Sequence, residues 1–378
     1  MLRVESIELR EIRLRLREPF RISSGVCHER RILLLELRDV DDVAEWSECV
    51  AGELPNYSPE TIDTCWLAIR EWVAPRVLGR EITDPAGVHG LLDVGFRGHN
   101  MAKAAVEMGC WALAARKRGV ALATLLGGTR ERVATGISLG IQESPDALVE
   151  RARAAHERGY RKIKLKIQPG TDIDYVRAVR EALGPAAPLM ADANSAYSLD
   201  DADHLRRLDA YDLVMIEQPL SCDDLVRHAA LQRRLRTPIC LDECIISLER
   251  AEDMITLGSG QIINIKPGRV GGFGASKAIH DLCGRHGIPV WCGGMLESGV
   301  GRAHNVALAS LTNFTLPGDI SPSDRYWTRD VVEPQWTMED GMVRVPFGGP
   351  GIGVDVNRDM VEDITVRAER LDAPVAVA

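Results

Sequence analysis

Residues 162–167 read Lys162-Ile163-Lys164-Leu165-Lys166-Ile167, an alternation of basic and apolar residues followed by a charged stretch of helical spacing. Such a run predicts a strand leading into a helix. Seven more short apolar runs flank it: VATGISLG (133–140), PLMADAN (188–194), LVMIEQP (213–219), PICLDE (238–243), QIINIKP (261–267), PVWCGG (289–294) and TLPGDI (315–320). Seven helical segments lie between the eight runs. Eight parallel strands so spaced close most naturally into an α/β, (β/α)7β TIM-type barrel, with reactive groups at the C-terminal ends of the strands. A doubly wound open sheet competes. It would normally bind a nucleotide through a Gly-rich first turn, and no G-x-G-x-x-G opens a helix after a predicted strand here.

Upstream, residues 1–16 and 31–38 alternate as strands, whereas 58–75 and 100–118 carry helical spacing. This predicts an N-terminal α+β domain over 1–127, a barrel over 128–321, and a C-terminal segment over 322–378 that returns to the first domain. Pro322, Pro334 and the turn at Met338-Glu339-Asp340-Gly341-Met342 predict irregular chain and a hairpin in that last segment.

The chain has 378 residues, 45% hydrophobic and 27% charged, which suits about two folded domains and excludes a disordered or fibrous protein. A net charge of −9 argues against nucleic acid or an anionic membrane as the main partner, because both need clustered positive charge. MLRVESIELREIRLRL has no uninterrupted apolar core, so it reads as neither signal peptide nor membrane anchor, and a cytoplasmic location is expected. None of the nine cysteines forms a C-x-x-C pair, and buried reduced thiols are expected.

Five consecutive runs each end in an ionisable residue: Lys166, Asp192, Glu217, Asp242 and Lys266, separated by 26, 25, 25 and 24 residues. Each interval is one βα unit, so the five side chains belong at similar height on strands two to six. Neighbouring strands of an eight-stranded barrel lie about 45° apart around the axis, so the two lysines face each other across three carboxylates. Converging carboxylates repel unless a cation neutralises them, and hard oxygen ligands suit Mg²⁺. Glu243 competes with Asp242 as a ligand, and strand alternation points the two to opposite faces. Lys164 and Arg269 offer each lysine a cationic neighbour that favours its use as a base. Taken singly, such residues are ordinary N-caps or solvated side chains. Five in succession, ordered base, acid, acid, acid, base, point to chemistry.

At these residues the chain resembles the enolase superfamily, in its muconate-lactonising-enzyme-like subgroup, and most closely the o-succinylbenzoate synthase/N-succinylamino acid racemase family. The resemblance is carried by KIKLK ending at Lys166, ADAN (191–194), IEQP (216–219), LDE (241–243), NIKPGRVGG (264–272), GGMLESGVGRAHN (293–305), RGHNMAKAAVEM (97–108) and LPGDISPSDRYW (316–327). It implies Asp192, Glu217 and Asp242 as ligands of Mg²⁺, for which Mn²⁺ or another divalent ion can substitute, and Lys166 and Lys266 as acid/base residues on opposite faces of the substrate. It implies substrate contacts from Ser138, Lys164, Asn194 and the loop that includes Gly293, Gly294 and Met295. It makes the N-terminal domain a cap whose segments 19–25 and 52–57 close over the barrel mouth, with Phe20 and Tyr57 as apolar cover. A homo-oligomer is also implied.

Two opposed lysines permit racemisation of an α-stereocentre beside a carboxylate, and equally syn-dehydration with Lys266 stabilising the enediolate. The resemblance covers both outcomes: o-succinylbenzoate formation for menaquinone synthesis, and racemisation of N-succinylamino acids, each on a small carboxylate with a succinyl arm. A dipeptide epimerase or muconate cycloisomerase is the alternative enzyme, and a binding-only barrel the alternative of another class.

Overall fold

The computed structural model describes residues 1–23 and 25–374. The chain opens with three antiparallel strands, β1 (Leu2–Ile22), β2 (Gly25–Asp39) and β3 (Ala44–Cys49). Side chains alternate across a strand, and both faces of this sheet are apolar. Leu33, Leu35 and Leu37 enter a core internal to the N-terminal unit, whereas Ile12, Leu14, Ile32 and Leu34 enter the larger core shared with the barrel. Helix α1 (Asn100–Lys117) is buried from Met101 to Ala115 and contributes to both cores. A helix buried all round, here with Lys103 and Glu107 among its buried residues, fits only between layers. Gly109 lets it lie on the sheet, since a Cβ there would stand 2.9 Å from Ser47 Oγ.

Seven parallel strands follow in sequential order: β4 (Gly136–Leu139), β5 (Lys162–Lys166), β6 (Leu189–Asp192), β7 (Ile216–Glu217), β8 (Ile239–Leu241), β9 (Ile262–Ile265) and β10 (Val290–Cys292). The eighth run forms no regular strand. Pro317 has no N–H to give, so the ladder is broken there. The segment still closes the ring. Asp319 N donates to Cys292 O at 2.9 Å, and Gly136 N to Gly318 O at 2.6 Å.

The crossover helices start cleanly. Ser144, Asp224, Ser247 and Ser298 each cap the following helix with a side-chain oxygen. Beyond the barrel, Met342–Arg344 pairs with Arg132–Ala134, so the turn at 338–342 belongs with the chain entering the barrel and not with the N-terminal sheet. β11 (Thr365–Asp372) does reach that sheet, pairing antiparallel with β1.

Among the described residues no helix is long and apolar enough to cross a membrane. All nine cysteines are unpaired. Seven are buried, as expected, but Cys27 is half-buried and Cys222 exposed.

Candidate active site

Parallel register sets three of the strand-end charges side by side: Lys166 pairs with Asp192, and Asp192 with Glu217; Asp242 and Lys266 each stand two residues further along, since Glu217 pairs with Cys240 and Cys240 with Ile262. Lys166 Nζ lies 2.6 Å from both Asp192 Oδ2 and Asn194 Oδ1. Two residues earlier on the same strand face, Lys164 Nζ meets Asp192 Oδ2 at 3.2 Å, Glu217 Oε2 at 3.0 Å and Asp319 Oδ2 at 2.5 Å. On the other side of the ring Lys266 Nζ is 2.8 Å from Asp242 Oδ2 and 4.4 Å from the centre of the Tyr57 ring. Arg269 donates to the second Asp242 oxygen and to Ile245 O at 2.7 Å. Tyr57 OH donates to the same Asp242 oxygen at 3.0 Å.

Asp192, Glu217 and Asp242 are at most 1% exposed. Burial alone would raise all three pKa values. For Asp192 it is outweighed by the Lys166 and Lys164 ammoniums, which hold the carboxyl well below the usual range. Lys266 and Arg269 likewise outweigh burial at Asp242. Glu217 has less help: burial and the Asp192 carboxylate push it up to about 7. Glu243, under burial and the charges of Asp242 and Asp192, is pushed up to about 8. Lys266 sits above its ordinary value, because Asp242 outweighs its burial. Arg269 thus does not depress Lys266 as its spacing suggested; its guanidinium is spent on Asp242.

Among the described residues no group of three His, Cys, Asp or Glu side chains is arranged to hold a metal ion. Lysine and arginine nitrogens engage the carboxylate oxygens that a cation would need. The donor chemistry nonetheless fits a hard divalent ion: three buried carboxylates end adjacent strands, and burial together with the charge of Asp192 pushes Glu217 up to about 7.

A cavity of about 440 Å³ opens over this floor. It is lined by Lys166, Lys266, Asn194, Gly294, Met295, Phe20 and Tyr57, so the structure brings these expected site residues together. Asn194 adopts a left-handed φ of 41° and ties Lys166 to Glu243, donating to Glu243 Oε1 at 3.1 Å. Lys164, Arg269, Ser138 and Gly293 are not part of the cavity wall. Ser138 neighbours Lys164 in register, and its buried Oγ has no partner. Gly293 packs on Lys266, where a Cβ would stand 2.7 Å from the lysine Cε. Segment 19–25 is no loop but the end of the β1–β2 hairpin, with Ser24 outside the described residues. Its tip is seated by Ile141 N donating to Arg21 O at 3.0 Å and Ser23 Oγ to Asn194 O at 3.4 Å.

Three residues of the site escaped the sequence reading. Asp319, the partner of Lys164, ends the eighth run just as the five charges end theirs, and that position was its signal. Asn264 donates to Glu217 Oε1 at 2.7 Å and precedes Lys266 by two residues, on the same strand face. Gln218 Oε1 accepts from Asp242 N at 3.1 Å and Cys244 N at 3.2 Å, shaping the turn after β8; nothing in its spacing announced this.

Known proteins resemble this chain along nearly its whole length. Residues 5–127 match the mandelate racemase/muconate lactonizing enzyme N-terminal domain, and residues 147–360 the enolase C-terminal domain-like family. The chain is 48% identical to an o-succinylbenzoate synthase of Geobacillus kaustophilus over 96% of each chain. It is 46% identical to an N-succinylamino acid racemase of Amycolatopsis sp, over 96% of this chain and 98% of that one. A crystal structure of an enolase superfamily member from Listeria innocua superposes with a TM-score of 0.95 at 39% identity, covering 99% of this chain and all of that one. The chain is therefore an enzyme of the enolase superfamily and belongs to its o-succinylbenzoate synthase/N-succinylamino acid racemase family.

Proposed function

We propose that this enzyme removes the proton α to a substrate carboxylate, forming an enediolate, and that it acts both as o-succinylbenzoate synthase and as N-succinylamino acid racemase. The observation that carries the reading is the placement of Lys166 and Lys266 in one cavity, on strand ends separated by β6, β7 and β8. Asp192, Glu217 and Asp242 would hold Mg²⁺, which supplies a Lewis acid for the second negative charge of the enediolate. The chain's own groups do the rest. Lys166, held by Asp192 and Asn194, takes the α-proton from one face. Lys266, from the other, returns a proton in racemisation, or in dehydration stays an ammonium that steadies the enediolate while the hydroxyl leaves as water with the proton that Lys166 had taken. Phe20 and Tyr57 cover the cavity from the cap and exclude water. The relatives' names supply the substrate class, a small carboxylate with a succinyl arm; a cytoplasmic homo-oligomer in menaquinone synthesis is the setting proposed with it.

The test is solvent-deuterium incorporation into N-succinylphenylalanine with and without EDTA, beside o-succinylbenzoate formation from its hydroxylated precursor. Metal-dependent exchange and dehydration are expected. Exchange confined to dipeptides would move the reading to an epimerase, lactonisation of muconate to a cycloisomerase, and no turnover to a binding-only barrel.

A further inference from the structure

Arg30 is a buried cation without an anion. It lies on β2 opposite Leu14 of β1 and is 7% exposed. Alternation along β2 places it on the face of Ile32 and Leu34, whose side chains enter the core shared with the barrel. It lines the same cavity as Lys166 and Lys266. Nη2 donates to two main-chain oxygens, Val50 O at 3.3 Å and Ala51 O at 3.1 Å, while Nε is buried with no partner. The arginines around it are satisfied: Arg13 by Glu29 at 3.3 Å, Arg31 by Glu11 at 2.7 Å and Asp63 at 3.0 Å.

Among the described residues Arg30 has no carboxylate within 4.0 Å. The nearby acids are otherwise engaged or open to water. Glu48 accepts from Ser298 N, Ser298 Oγ and Gly301 N; burial pushes its pKa up to about 8 against the opposing charge of Arg30, which stands beyond ion-pair distance. Glu60 accepts from Met101 N at 2.9 Å and Ala102 N at 3.1 Å. Glu53 lines the cavity but is exposed. A guanidinium keeps its charge, and taking one out of water is costly unless an anion meets it.

We propose that the missing anion is the far carboxylate of the substrate's acyl arm, making Arg30 the residue that selects for a dicarboxylic acyl group. The inference rests on the activity proposed above and names the recognition element of that same site. One end of the substrate would sit at the rim between Lys166 and Lys266, and the other would reach the cap. There a guanidinium fork matches a carboxylate in a way that a neutral acyl chain cannot.

The experiment compares wild type, Arg30→Met and Arg30→Lys in deuterium exchange on N-succinylphenylalanine and N-acetylphenylalanine, which differ at the far carboxylate. Arg30→Met is expected to lose about 30-fold or more in kcat/KM on the succinyl substrate, and no more than about threefold on the acetyl one. Arg30→Lys should recover part of the succinyl rate. Equal losses on both substrates would show a brace for the Val50–Ala51 backbone and overturn the proposal, as would no loss on either. If wild type exchanges neither substrate, the proposed activity fails, and calorimetric binding of N-methylsuccinamate then decides the role of Arg30. Binding to wild type, weaker binding to Arg30→Lys and none to Arg30→Met, with N-methylacetamide binding to none, supports it. Equal binding of N-methylsuccinamate to all three, or to none, overturns it.

Discussion

The two walls of the cavity are built by different rules. On the barrel rim the charges at the strand ends are paired with one another. Lys164 reaches three carboxylates on three different segments, and Asp242 accepts from Lys266, Arg269 and Tyr57 together. On the cap, Arg30 meets only main-chain oxygens, and the tip of the hairpin is held by few contacts and by surface pairs such as Glu18 with Arg151. A braced group keeps its position and charge through a reaction, which proton transfer at a fixed carbon needs. An under-satisfied group awaits a ligand. Chemistry belongs to the rim and selection to the cap.

The largest effects should come from the rim. Lys166→Ala and Lys266→Ala are each expected to reduce racemisation by about 10³-fold or more. Each should retain deuterium exchange of one enantiomer only, and of opposite hand in the two variants; loss of the same hand in both would place the lysines on one face. Glu217→Gln should weaken Mg²⁺ binding by about 100-fold in calorimetry, and unchanged affinity would remove Glu217 from the ligand set. Arg269→Met should slow exchange begun by Lys266 about tenfold, and dehydration less, since it strips Asp242 of the partner opposite Lys266. Equal loss in both reactions would make Arg269 a general brace. At the small end, Glu18→Ala should change stability by at most about 0.5 kcal/mol and leave kcat/KM intact, because its pair with Arg151 is 49% and 42% exposed. A large loss of activity would show that the hairpin is locked by that pair, and the contrast between the walls would narrow.

Much of the rim was legible from spacing. βα units of near-constant length turn a barrel into a ruler along the chain, so Lys166, Asp192, Glu217, Asp242 and Lys266 could be placed on neighbouring strands before any coordinate. The eighth run was found, but Pro317 hid the fact that it closes the ring by isolated bonds. Asp319 stands at the right place but outside the regular series of five, so spacing alone does not single it out. Arg30 was illegible. It stands just before a run, RILLLELR from 31 onward, whose alternation predicts a strand whether or not the preceding arginine has a partner.

The order of charges along the strands, and hence the barrel and the kind of chemistry it hosts, was determined by sequence alone, because strand and helix periods are local properties of the chain. Tertiary structure decided which charge meets which. Arg269 turns to Asp242, Lys164 gathers Asp192, Glu217 and Asp319, and Arg30 is left without an anion. Those pairings depend on segments as far as 155 residues apart, from Lys164 to Asp319, being buried against one another, where water no longer satisfies a charge and only a neighbour can.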